Sequence, residues 1–442
     1  MTFLNKIVSL AADQVRVNAR YLVDGGQRGR LREVLKHDGM TPSQEKTFAT
    51  ELRAAVPGAR PYAGLGTTSL TLAALSPRDD VQPHLNLLIG ELRENAMFAG
   101  IHTAVTVAKA LAERLALPLR VIMLDFTSIG NDEEKARRFM AGRFDLPNVT
   151  VVARENIREA VIGSGDVWLA THSKTAHAAQ VACDSGLIRR EQVVYLIQDY
   201  EPGFSPWSTE SVVAAATYDA GFLPIVNSTP LWRFLTEHEG LTIDKSLVIA
   251  PTFEEERLRA AAATRVAGAP TRVLFYARPS KHRNLYQLGV SALRAAVFTL
   301  GEDAAAVEFF SAGEDHEDTP LGDGRTITSL GRLPWDRYFE FLSTTTVMLS
   351  LQQSPHPSHP PFDAAISGAI AVTNEFHATR AGLHPRITAV PAETASLSAA
   401  LVTAIKESLA AGPTGYLPVI DGLLGQPLNV ALDAVLARLP RR

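Results

Sequence analysis

The chain has 442 residues, 46% of them apolar and 20% charged, with 43 basic against 47 acidic side chains and a net charge of −4. That composition argues against extended disorder, and the length suggests two or three domains. Near-neutral charge gives no support for a nucleic-acid partner, the lone Cys183 excludes a disulfide framework or four-cysteine zinc site, and no apolar run approaches the roughly 20 residues that span a bilayer. One cysteine and a start without signal-peptide character suit the cytoplasm.

Residues 1–75 form an N-terminal extension. Phe3, Leu4, Ile7, Val8, Ala11 and Val15 recur at helical spacing, and a basic stretch around Arg28–Lys36 follows. The pattern suits a membrane-surface helix, with peripheral contact at the inner face of the cell membrane through residues 1–40. It also suits a homodimer-forming helix or, as is usual for an amphipathic surface helix, an extra helix packed on the body. Gly, Pro, Ser and Thr punctuate residues 57–77 as a connection.

Regular alternation begins near residue 80. Strands are predicted at 84–90, 119–125, 149–152, 167–171, 193–197, 223–226 and 246–249, with a helix over 99–115 and Ala-rich helical patterns between the others. Strands without polar alternation, separated by helices, imply a parallel sheet covered on both faces. Residues 251–271 read as a linker, after which strands are predicted at 272–277, 307–310, 347–351 and 369–373. The expected architecture is α/β: two doubly wound lobes facing a cleft, over residues 76–252 and 253–442, the second ending in a helical tail.

Ligands of open parallel sheets bind beyond the carboxyl ends of the strands. The segment Ala277-Arg278-Pro279-Ser280-Lys281-His282-Arg283-Asn284 leaves a strand, opens a helix and holds three cations, which fits a diphosphate clamp or a solvated basic loop. In Ser354–Gly368 the prolines pre-set the backbone, so the amides of His356, Ser358 and His359 become candidate anion donors. Asp363 could meet sugar hydroxyls or only complement its helix dipole. In the first lobe, Gly100 and His102, His172, and Asp199, Tyr200 and Glu201 follow successive strands. Asp199 or Glu201 is the candidate base, His172 or His102 a second proton-transfer candidate, and Tyr200 and Trp207 are sugar-stacking or core rings. Asp315–Asp318 lies in a Gly/Asp-rich loop and reads as solvated, so no metal site is expected.

The order and spacing of Tyr276-Ala-Arg-Pro-Ser280, Leu330-Gly331-Arg332 and Pro361-Phe-Asp-Ala-Ala-Ile-Ser-Gly368 resembles the C-terminal half of retaining glycosyltransferases of the GT-B fold. With Gln198-Asp-Tyr-Glu-Pro202 and Ser354-Pro-His-Pro-Ser358 it is similar to the WsaF-type rhamnosyltransferases of bacterial surface glycans. The resemblance spans residues 80–410. It implies two Rossmann-like lobes, a nucleotide-sugar donor and a glycan or lipid-linked glycan acceptor. Arg278 and Arg283 would meet the donor diphosphate, with Arg332 as a further contact, while Gly331 and Asp363 would hold the nucleotide sugar. The family's first glutamate falls on Pro355, a departure compatible with a deoxysugar such as rhamnose from dTDP-rhamnose. Neither metal nor cofactor is implied. A nucleotide-sugar epimerase and a non-catalytic glycan- or nucleotide-binding scaffold are the alternatives.

Overall fold

The computed structural model describes residues 67–92, 99–125, 132–266, 268–411 and 414–440. The amphipathic and basic segments of residues 1–40 lie outside these, so the membrane and dimer expectations attached to them do as well.

Seven strands build the first sheet: β1 (Leu85–Ile89), β2 (Leu119–Met123), β3 (Thr150–Ala153), β4 (Val167–Ala170), β5 (Val193–Ile197), β6 (Leu223–Asn227) and β7 (Val248–Ile249), in the order β3-β2-β1-β4-β5-β6-β7. The registers of β1 with β2 and β4, and of β4 with β5, are parallel. Helices α1 (Ala99–Leu115), α2 (Glu133–Phe144), α3 (Ser173–Asp184), α4 (Thr209–Ala216) and α5 (Thr229–Glu237) connect them. Every residue of β1, β2, β4 and β5 is buried, which is why these strands lack alternation. On one face Leu88, Ile122, Val152 and Trp168 pack under α3 and the 3₁₀ turn Thr67–Ala74.

The second sheet holds β8 (Thr271–Ala277), β9 (Val307–Gly313), β10 (Thr319–Gly322), β11 (Arg325–Ser329), β12 (Val347–Ser350), β13 (Ile370–Asn374) and β14 (Ile387–Val390), in the order β10-β11-β9-β8-β12-β13-β14. Its helices are α6 (Glu255–Ala263), α7 (Tyr286–Leu300), α8 (Trp335–Leu342), α9 (Pro360–Ile366) and α10 (Thr394–Ala410), and a last helix, α11 (Leu428–Leu436), follows in the chain. Alternate residues feed two cores. Val273, Phe275, Val347 and Leu349 pack with Leu293 of α7 and Leu401 of α10, whereas Leu274 and Met348 pack with Phe339 of α8 and Phe362 of α9. Gly289 lets α7 approach β8 closely, since a Cβ there would lie 2.3 Å from Phe275 Cζ.

The two doubly wound α/β units expected from the sequence are thus present. Among the described strand pairs β10–β11 is an antiparallel hairpin, which the strands predicted from sequence do not include. Its turn, Asp323-Gly324, takes positive φ at both residues, the Asp-Gly signal of a tight hairpin.

By packing, the first compact unit runs through Ile197 and includes Ser205–Ile225 and the segment from Leu432. The second comprises Gln198–Phe204 and Val226–Ala431. The first unit holds a buried ion pair near the amino ends of its strands. Arg120 Nη1 donates to Asp166 Oδ2 at 3.0 Å and to Asn86 Oδ1 at 2.9 Å, Arg120 Nη2 donates to the Val161 carbonyl, and the His84 amide donates to Asp166 Oδ1.

Candidate functional site

The loops leaving β8, β9 and β11 meet because those strands are neighbours. The Gly313 amide donates to the Gly331 carbonyl at 3.0 Å and the Glu314 amide to the Ala277 carbonyl at 3.0 Å. Gly331, at φ +62°, admits Asp315, whose Oδ1 would lie 2.2 Å from a Cβ at that position and accepts from the Arg332 amide at 3.2 Å. Three predicted phosphate and nucleotide positions, Arg278, Gly331 and Arg332, therefore share one sheet edge.

Within this edge the cations differ. Arg278 Nε lies 3.5 Å from Glu314 Oε1, and Glu314 also accepts from the Ser280 amide at 2.9 Å and the Ser280 hydroxyl at 2.7 Å. Burial opposes the charge on Glu314, but the Ser280 bonds and Arg278 outweigh it and hold the carboxyl below its usual range. Arg332 is exposed.

Arg283 is held on a different principle. It sits in the single turn His282–Asn284, its guanidinium carbon is 4.2 Å from the centre of the Phe204 ring, and its buried Nε has no hydrogen-bond partner. Among the described residues its guanidinium donates no hydrogen bond. Burial lowers its basicity, with Asp199 acting against that and Arg278 reinforcing it. A buried guanidinium N–H left without an acceptor is costly, and an anion would complete it.

Asp199 supplies part of the balancing charge. Its Oδ1 accepts from the Ser354 hydroxyl and from the Tyr200 amide at 2.9 Å, and its Oδ2 from Gln352 Nε2 at 3.4 Å. Burial raises its pKa, while Ser354, Arg283 and Arg380 oppose the rise. The sequence places Asp199 among first-lobe acceptor residues; the structure packs Gln198–Phe204 with the second unit instead. A chain position after β5 does not decide which unit the loop joins.

The segment entering α9 is also more occupied than its sequence implies. The Ser358 amide, expected as an anion donor, instead donates to His356 Nδ1 at 3.1 Å, with Ser358 at φ +67°. Burial, helped by Arg380 and Arg283, pushes His356 down to about 4, so the ring is a neutral acceptor. The His359 ring packs on Phe253 at 5.4 Å. Asp363 is buried, and its Oδ2 accepts from the Tyr338 hydroxyl at 3.1 Å. Burial, reinforced by Glu254 and opposed by that bond, raises Asp363 to about 7.

In the first unit, Gly100 opens α1 and the His102 ring lies 5.5 Å from that of Phe144. His172 caps α3, its Nδ1 accepting from the Lys174 amide at 3.1 Å, which leaves Nε2 as the protonated nitrogen. That Nε2 lies 3.4 Å from where a Cβ on Gly90 would stand, with Asp125 Oδ2 at 2.4 Å from the same point, so the carboxyl ends of β1, β2 and β4 do converge. Tyr200 belongs with the second unit, edge-on to Phe234 at 4.9 Å, and burial together with the nearby Glu239 raises its hydroxyl above its ordinary range. Glu201 begins a short turn and lies within the field of Arg283.

Arg380 escaped the sequence reading. It is 1% exposed, donates to the carbonyls of Asn374 and Gln352 at 2.6 Å each and to that of Ser354, and ties the exits of β12 and β13 together. Nothing local in Thr379-Arg380-Ala381 marks a buried charge. Among the described residues, no group of three or more His, Cys, Asp or Glu is placed to hold a metal ion, and no helix is long and apolar enough to cross a membrane.

Comparison with known proteins gives the family. The models of the WsaF N-terminal domain and the WsaF C-terminal domain match residues 84–229 and 271–402. Over 280 residues the chain is 28% identical to the O-antigen biosynthesis protein RfbC of Myxococcus xanthus, a match covering 63% of this chain and 21% of RfbC. The matched stretch therefore amounts to about a fifth of that relative's length. Among solved structures, the apo structure of OtsA superposes with a TM-score of 0.52 at 10% identity, covering 81% of this chain and 99% of OtsA. HepE of Anabaena, solved in complex with UDP, gives 0.49 at 14% identity over 80% and 95% of the two chains. Both halves are matched in chain order by the domains of one family, and each is a doubly wound α/β unit of the GT-B glycosyltransferase fold; the chain belongs to the WsaF family.

Proposed function

We propose that this protein is a glycosyltransferase of bacterial surface-polysaccharide assembly, moving a deoxyhexose, rhamnose foremost, from a dTDP-sugar to a glycan or lipid-linked glycan acceptor at the cytoplasmic side of the membrane. The carrying observation is Arg283: a half-buried guanidinium whose buried Nε has no partner, at the carboxyl edge of the second sheet, beside Arg278. A diphosphate supplies the missing acceptors, and guanidinium groups match phosphate oxygens bidentately. RfbC, described as an O-antigen biosynthesis protein, supports the polysaccharide context. Pro355, standing where the family's sugar-contacting glutamate falls, supports a donor with fewer hydroxyls to hold.

In the reaction, the bond from the anomeric carbon to the β-phosphate oxygen breaks and its electron pair leaves with the nucleoside diphosphate. Arg283 and Arg278 stabilise that charge from fixed positions, so no metal is required in this scheme. Arg332 adds to the field from the adjoining loop. An acceptor hydroxyl forms the new bond to carbon and gives its proton to a carboxylate, for which Glu201 is the candidate. Asp199, already accepting from Ser354, Tyr200 and Gln352, orients this segment. Asp363 and Gly331 serve the nucleoside side, and Gly100, His102 and His172 the acceptor side.

Calorimetry with dTDP, UDP and GDP tests the donor: dTDP should bind tightest, and equal failure of all three would sink the reading. Incubation with donor alone should release no epimerised sugar, whereas addition of acceptor glycan should release free diphosphonucleoside.

A further inference from the structure

The loop that begins at Asp199 ends in a feature the donor chemistry does not use. Trp207 is fully exposed, at 102% of its reference surface, and holds φ +58°, a conformation that is an outlier for a bulky side chain. The turn is not loose. The Ser208 hydroxyl donates to the Ser205 carbonyl at 2.6 Å and accepts from the Ser211 amide at 3.1 Å as the cap of α4, and Pro206 fixes the preceding backbone. An indole is thus presented to solvent by a braced turn, with few rotamers left to lose on binding.

Two further observations say what it would meet. Phe204, three residues earlier, lies on the Arg283 guanidinium, so covalent reach alone keeps the Trp207 Cα within about 11 Å of the Phe204 Cα whatever the arrangement of the two units. The segment that carries Trp207 is itself acidic. Residues 191–232 carry Glu191, Asp199, Glu201, Glu210 and Asp219 and no lysine, arginine or histidine. With Asp199 buried, the remaining carboxylates disfavour contact of this segment with an acidic bilayer or acidic polymer. A neutral sugar has no such penalty, and its apolar C–H face matches an indole plane.

We infer that Trp207 is the stacking platform for a neutral sugar residue of the acceptor glycan. The inference rests on the glycosyltransferase reading above and names the acceptor class it takes.

The test uses the full chain with Trp207→Ala and Trp207→Phe, titrated by calorimetry with neutral rhamno-, manno- and gluco-tetrasaccharides and, separately, with dTDP. At least one tetrasaccharide should bind the parent protein at millimolar concentration. Trp207→Ala should weaken it at least about tenfold and Trp207→Phe by only about threefold, with dTDP affinity unchanged in both. Failure of every tetrasaccharide to bind the parent, or equal binding by Trp207→Ala, overturns the platform. Sedimentation with phosphatidylcholine–phosphatidylglycerol vesicles that depends on Trp207 overturns it in favour of a membrane contact. Loss of dTDP binding by the parent would instead sink the donor reading, so the two failures are told apart.

Discussion

Each unit buries an arginine–aspartate network, and the two are built to opposite specifications. Around Arg120 and Asp166, near the amino ends of β1, β2 and β4, both Nη groups of the arginine and both oxygens of the aspartate are paired. Around Arg283, Arg380 and Asp199, beyond the carboxyl ends of the second sheet, the Nε of each arginine is buried without a partner. A closed network has nothing to offer a ligand and holds the strands in register. An open one carries unspent electrostatic energy that an incoming anion can release. The ends at which they stand follow the rule that open parallel sheets bind ligands beyond their strand carboxyl termini.

Breaking the closed network should give the largest effect. Asp166→Ala leaves Arg120 buried and uncompensated, and unfolding by urea should show a loss of about 3–5 kcal/mol. Arg283→Ala should behave in the reverse manner, weakening dTDP binding by about 1.5–3 kcal/mol in calorimetry while leaving the urea midpoint nearly unmoved. A large fall in stability with intact nucleotide affinity would erase the distinction between the networks. Arg278→Ala should cost dTDP affinity less, about 1.5 kcal/mol at most, because Glu314 already engages that guanidinium and gains freedom to repel the ligand only in part.

A last test sharpens the comparison through pH. Asp363 titrates near 7 in the folded protein against about 4 unfolded, so the folded state holds the extra proton and stability falls as pH rises through that window. His356 titrates near 4 folded against about 6.5 unfolded, so the unfolded state holds the extra proton and stability falls as pH drops. The two slopes oppose each other. In Asp363→Asn only the histidine slope remains, and its melting temperature should climb more steeply between about pH 4 and 6.5 than that of the parent. Parallel profiles would show that Asp363 does not titrate in this range.

Much of the fold was legible because its signals are local. The apolar-rich runs of β1, β2, β5 and β8, without regular polar alternation, announce strands covered on both faces, and the helix over 99–115 has the bounds the sequence suggested. The Arg278–Arg283 loop was legible for the same reason, since a strand, three cations and a helix stand within a few residues. Occupancy was not. That the Ser358 amide is spent on His356, that Gly331 makes room for Asp315, and that Arg278 leans on Glu314 all depend on side-chain packing around each loop.

The sequence by itself determined two α/β units, their strand and helix series, and the loops where phosphate chemistry belongs, because periodicity and chain neighbours carry that information. Only the tertiary structure decided that Asp199 answers Ser354, 155 residues away, and that Arg380 joins the exits of β12 and β13. The Arg380 link follows from sheet order, which sets β12 beside β13, and the Asp199 bond from the packing of Gln198–Phe204 with the second unit; neither is written in the chain neighbours of the residues involved.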